Sequence, residues 1–158
     1  MTDWLLWIEL GAVPTWVRES GSIWAYPSIL TLHTLGLGLL VGASAVLNLR
    51  VLGYAASIPV AGLGVLRRVF GIGLFMNGAT GLMLFSADAS TKGVQVVFFI
   101  KLAAIALALW FTARLARQVF SPAAPPGEEH VASARGLATA SLVLWTVAIT
   151  AGRLMAYF

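Results

Sequence analysis

Long apolar runs separated by short polar stretches dominate this chain, and four of them are long enough to cross a bilayer, for which roughly 20 apolar residues suffice. They cover residues 23–49, 66–85, 94–115 and 137–158. Hydrocarbon offers the backbone no hydrogen-bond partner, so each run is expected to be an α-helix. Arg67 and Arg68 stand at the start of the second run and Asp88 just beyond its end. The prolines of 121–127 (SPAAPPG) end the third helix. Glu128 and Glu129 then sit where acidic side chains favour the first turn of a fourth. The pattern predicts an all-α protein, an integral membrane four-helix bundle over 23–158.

Residues 1–22 have a different character. Asp3, Glu9 and Pro14 make them too polar to span, and they lack the basic start of a signal peptide. Trp4, Trp7 and Ile8 fall on one helical face, which predicts a short amphipathic helix lying in the membrane interface as an anchor.

Composition supports this class. Of 158 residues, 59% are hydrophobic and 10% charged, against about 25% charged in a soluble domain. The net charge of +4 does not suggest nucleic acid, because the basic residues are scattered at helix ends. The lack of cysteine excludes disulfides, thiolate metal sites and covalent c-type haem attachment. There is no phosphate-binding loop, no H-E-x-x-H and no carboxylate at membrane depth to orient a catalytic histidine.

Charge also predicts the topology. Arg50, Arg67, Arg68, Arg114, Arg117 and Arg135 lie at one end of the bundle; Arg18, Lys92, Lys101 and Arg153 lie at the other. By the positive-inside rule both termini are expected on the non-cytoplasmic side of a bacterial inner (cytoplasmic) membrane. Trp4, Trp7, Trp16, Trp24, Tyr26 and Tyr157 gather at that same end, as an aromatic belt does.

Candidate chemistry starts from His33, an imidazole inside the first span. With a rise of about 1.5 Å per residue, His33 lies roughly 15 Å below the tryptophan-rich end, level with Met76 and Asn77; Lys101 is roughly 10 Å and Arg153 roughly 7 Å deep. Ionisable groups at such depth usually have a function. A b-type haem would need an axial nitrogen, supplied by His33, and cations for its propionates, supplied by Lys101 and Arg153. Gly36 would leave bare backbone for the flat macrocycle, and the sixth position would be taken by Met76 or a second copy's His33, or left open. Asp88 is expected within reach of Lys101 or Arg153.

Other readings stand beside this one. His33 could be a packing residue hydrogen-bonded to a neighbouring helix; separately, Asn77 with Thr80 and Gly81 reads as a helix–helix contact and only secondarily as a ligand-binding group. Lys101 and Arg153 could snorkel to the interface. His130 reads as a solvated surface residue. The functions open at this stage are a haem protein exchanging electrons with a quinone or a redox protein, a membrane subunit or scaffold, which includes a homo-oligomer, and a binder of a small anion or lipid headgroup.

Several short motifs carry a family resemblance: His33, Gly42 and Leu49-Arg50-Val51 in the first span, Thr80-Gly81-Leu82 in the second, and Phe98 or Phe99 with Lys101-Leu102 in the third. Trp145, Gly152-Arg153 and Ala156-Tyr157 complete the set. With these the chain resembles an uncharacterised bacterial family of small four-span membrane proteins, and more distantly the HemJ-type (membrane protoporphyrinogen oxidase) and CopD-type proteins. The HemJ resemblance implies a b-type haem ligated at His33, with Lys101 matching the lysine of the third span. The chain departs from that family in its N-terminal extension and in lacking the aromatic-rich stretch of the first span, so the oxidase activity is not carried over. Its four methionines and two histidines are too few for CopD-type copper handling.

Overall fold

The computed structural model describes residues 3–54, 64–120 and 128–157; the side chains of 119, 120 and 128–132 lie outside that description. Among the described residues there are seven helices and no strand: α1 (Asp3–Glu9), α2 (Ala12–Glu19), α3 (Tyr26–Leu52), α4 (Gly64–Ser86), α5 (Ala89–Lys92), α6 (Val96–Phe120) and α7 (Glu128–Leu154). α3, α4, α6 and α7 are long and apolar enough to cross a membrane. The chain is therefore an all-α integral membrane bundle in contact with lipid. Pro27 sits in the first turn of α3, where its missing N–H costs nothing. Gly53, with φ of 99°, ends α3 in the left-handed conformation that glycine adopts without strain. α6 runs to Phe120, just before the proline-rich 121–127, which lies outside the described residues.

The fourth helix differs from expectation at its end. It starts at Glu128, as the acidic pair suggested, and stops at Leu154 rather than continuing to 158, with Met155–Tyr157 in a turn. The N-terminal segment is two helices, broken at Leu10–Gly11; Pro14 lies within the first turn of α2 and does not interrupt it.

Packing runs in the order α4, α3, α7, α6. α3 lies along α4 and α7, and α6 lies along α7. Three apolar layers fill the interior: Val17, Ile29 and Ala87 near the tryptophan-rich end; Leu40, Ala108 and Trp145 in the middle; Leu47, Leu115 and Ala138 towards the arginine-rich end. The buried positions recur at three and four residues, Gly36-Leu40-Ala43-Leu47 on α3 and Ala104-Ala108-Thr112-Leu115 on α6, the seam of a left-handed bundle. Alanines on α6 and α7 bring those two backbones close.

The α3–α4 contact is closer still. A Cβ on Gly73 would stand 2.5 Å from the Leu40 nitrogen, and one on Gly36 would stand 2.8 Å from the Asn77 nitrogen. Only hydrogen fits at either position. Gly38 and Gly42 face open space and take no part in this seam. α4 and α6 pack little against each other along most of their length, and meet at the tryptophan-rich end, where Phe85 stacks on Phe98 with centroids 5.0 Å apart. The bundle thus has one open side, between α4 and α6.

α1 and α2 are more than an anchor. Trp4 and Trp7 point outward, while the buried Leu5 packs beneath Gly93 and Val17 enters the core. Glu9 accepts the Ser90 backbone N–H at 3.0 Å and pairs with Arg18 at 3.1 Å; Arg18 also reaches Glu19 and the Ala87 carbonyl. The hydrogen bonds from Ser90, aided by the Arg18 charge, hold the Glu9 carboxyl below its ordinary value. These two helices cap the connection between α4 and α6.

Candidate functional site

His33 continues the inward stripe of α3, one turn from Gly36. Its Nδ1 lies 3.1 Å from the Asn77 carbonyl and 3.1 Å from Thr80 Oγ1. Thr80 spends its own hydrogen on the Met76 carbonyl at 2.5 Å, so Nδ1–H is the donor in both contacts. Asn77 Nδ2 donates to the His33 carbonyl at 2.9 Å and lies 3.3 Å from Nδ1 and 3.4 Å from Nε2. A Cβ on Gly81 would sit 3.2 Å from His33 Cε1, so glycine there makes room for the ring. Nδ1 and the His33 carbonyl are therefore engaged by α4. Asn77, Thr80 and Gly81 are the helix–helix contact that their spacing suggested.

Nothing in this arrangement favours haem b. Asn77 Nδ2 is nearly equidistant from the two ring nitrogens and so does not lie on the lone-pair axis of Nε2. Gly36 is not a bare surface for a macrocycle, because Asn77 and Met76 of α4 cover it. Met76 is packed in that same seam rather than across a slot. Among the described residues, no three His, Cys, Asp or Glu side chains come together to hold a metal ion.

Lys101 is placed differently. It lies one turn above Ala104 on the inward stripe of α6, partly buried, with its side chain across Gly152 of α7. The stacked Phe85 and Phe98 lie towards the tryptophan-rich end from it. Its ammonium has no hydrogen-bond or ion-pair partner among the described residues. Asp88, expected to neutralise Lys101 or Arg153, instead binds Lys92 at 2.8 Å. Partial burial pushes the Asp88 carboxyl up, but the hydrogen bonds from Lys92 and Thr91 and the Lys92 charge outweigh it, leaving it below its ordinary value. Glu9 and Glu19 are taken by Arg18. Arg153 is one position off the α7 stripe and exposed.

A second polar layer, absent from the sequence reading, crosses the arginine-rich half. Ser44 and Asn48 of α3, Thr112 of α6, and Ser141 and Trp145 of α7 are all buried. Asn48 Nδ2 donates to Ser44 Oγ (3.2 Å) and Ser141 Oγ (3.1 Å); Trp145 Nε1 donates to Ser44 Oγ at 3.0 Å. Ser44 and Thr112 are 3.1 Å apart, Thr112 and Ser141 3.0 Å. The signal available in the sequence was small polar residues at matched depth in three spans, with Ser44 and Asn48 four apart.

Comparison with family models, curated proteins and solved structures finds no match to any. The likeness to the four-span, HemJ-type and CopD-type families therefore rests on the short motifs alone.

Proposed function

We propose that this protein is a membrane-embedded binding protein for an anionic amphiphile, whose carboxylate or phosphate pairs with Lys101 in the tryptophan-rich half of the bundle. The observation that carries this is the ammonium's isolation among the described residues: a partly buried cation on the inward stripe, lying across Gly152, while the neighbouring carboxylates are spent on other partners. A charge within a span costs on the order of 3 kcal/mol at the bilayer centre, and a bound anion offsets that cost. The open α4–α6 side offers entry from the lipid. His33 is the clamp that holds α3 to α4 beside the site, and Arg153 adds positive potential near its mouth. By the positive-inside rule the site belongs to the non-cytoplasmic half of the membrane.

The test is thermal unfolding of purified protein in dodecyl maltoside, with laurate added or with an equal amount of dodecanol. The expected result is a midpoint raised by laurate alone in the wild type and unmoved by laurate in Lys101→Met. Equal responses of the two proteins would overturn the reading. So would a Soret band in the reduced-minus-oxidised spectrum that disappears in His33→Ala, which would restore haem.

A further inference from the structure

The open side holds a cavity of about 770 Å³ in the arginine-rich half, distinct from the Lys101 site. Ala43, Leu47 and Phe70 give it apolar walls, Arg67 and Arg117 stand at its rim, and Ser44 and Thr112 form its floor. Arg67 lies three residues from the start of α4, and Arg117 three from the end of α6. Thr112 is one and a half turns deeper than Arg117, about 7.5 Å along the axis.

The floor offers a donor, as a count of hydrogens shows. Asn48 gives both amide hydrogens, one to Ser44 and one to Ser141, and Trp145 gives its indole hydrogen to Ser44. Ser44 Oγ, accepting twice, passes its own hydrogen to Thr112. Thr112 and Ser141 then share one hydrogen bond but own two hydroxyl hydrogens. One is surplus. Thr31, Thr34 and Thr146, all exposed, return their hydroxyls to the carbonyl four residues back, whereas Thr112 spends its contacts on Ser44 and Ser141. Of the pair sharing that bond, Thr112 is the one that lines the cavity. With an acceptor in the cavity, Ser141 donates to Thr112 and Thr112 donates to the ligand.

We infer that this cleft binds an anionic glycerophospholipid, its phosphate between Arg67 and Arg117, its ester carbonyl on the Thr112 hydroxyl and an acyl chain along Phe70 and Leu47. The three features match the order of groups along such a lipid: anionic head, carbonyl acceptor a glycerol's length below, hydrocarbon beyond. Basic pockets between spans bind anionic headgroups on the side where arginine accumulates. The inference is independent of the Lys101 reading and uses none of its residues.

The experiment is native mass spectrometry of delipidated protein titrated with ester-linked phosphatidylglycerol, ether-linked phosphatidylglycerol and phosphatidylcholine. Phosphatidylglycerol is expected to bind about tenfold tighter than phosphatidylcholine, two arginines contributing about fivefold each at most. Arg67→Gln and Arg117→Gln should each lose up to about fivefold, while Arg68→Gln, exposed and outside the cleft, should lose nothing. Thr112→Val should erase the ester-over-ether preference and keep the headgroup preference; Thr112→Ser should keep both. Equal binding of the two headgroups, or equal losses in Arg67→Gln and Arg68→Gln, would overturn the proposal. Displacement of the lipid by inorganic phosphate alone would overturn it in favour of a free anion site.

Discussion

The two polar layers of the bundle are built on opposite plans. In the arginine-rich half, five neutral side chains from three helices bond to one another in a buried layer, with Asn48 Oδ1 the one atom of it left without a partner among the described residues. In the tryptophan-rich half, His33 is bound by α4 on its own, and a charged neighbour, Lys101, has no partner among the described residues. Neutral hydroxyls and amides cost little to bury once bonded, so the first layer aligns helices. An unpaired ammonium costs more than it returns to the fold. Its retention points to a partner from outside the chain. The difference separates residues that hold the bundle from a residue that the bundle holds in readiness.

Substitution can break that comparison at graded strength. Gly73→Ala should have the largest effect, since its new Cβ meets backbone rather than a movable side chain. A loss of about 1–3 kcal/mol, typical of forced repacking, is expected in thermal unfolding, and Gly42→Ala, which faces open space, should change nothing. Ser44→Ala strands the Trp145 and Asn48 donors and should cost about 1–2 kcal/mol; Ser141→Ala, which removes fewer bonds, should cost less. His33→Leu removes the clamp and should cost about 0.6–1.7 kcal/mol, the range for cross-helix hydrogen bonds in membranes.

The smallest effect concerns the cap made by α1 and α2. Glu9 and Asp88 both have folded-state pKa values below their ordinary ones. They bind fewer protons when folded than when unfolded, so their contribution is complete above the ordinary carboxylate range and is lost as pH falls through the depressed values. Proteolysis of the N-terminal segment should therefore accelerate in acid while the four spans stay protected, and Glu9→Gln should weaken that pH dependence. Equal acid sensitivity of cap and spans would show that the cap is not held by these carboxylates.

Much of this architecture was legible in the sequence, for reasons that also explain what was not. Twenty apolar residues in a row have one outcome in lipid, so the four spans stood out, and the shared depth of His33 and Asn77 was readable by counting along the helices. The buried face of each span was hidden, because a span is apolar on its lipid side as well and the usual contrast of faces vanishes. What marks the interior here is smallness and polarity: Gly36, Gly73, Ala104, Ala108, Ser44 and Ser141. Asp88 was misassigned for a related reason. Lys92, four residues on, reaches it within one turn, and depth along the membrane normal carries no information about such local pairing. Gly36 was read as free surface, when its lack of a side chain is what admits α4.

The central claim is that Lys101 serves a ligand and not the fold, and its most direct test is the unfolding midpoint of Lys101→Met without any added anion. Loss of an unpaired charge should leave the midpoint unchanged or raise it by a few degrees, at about 2–4 °C per kcal/mol for a chain of this size. A midpoint lowered as far as that of His33→Leu would contradict the account, because it would make Lys101 one more strut of the bundle.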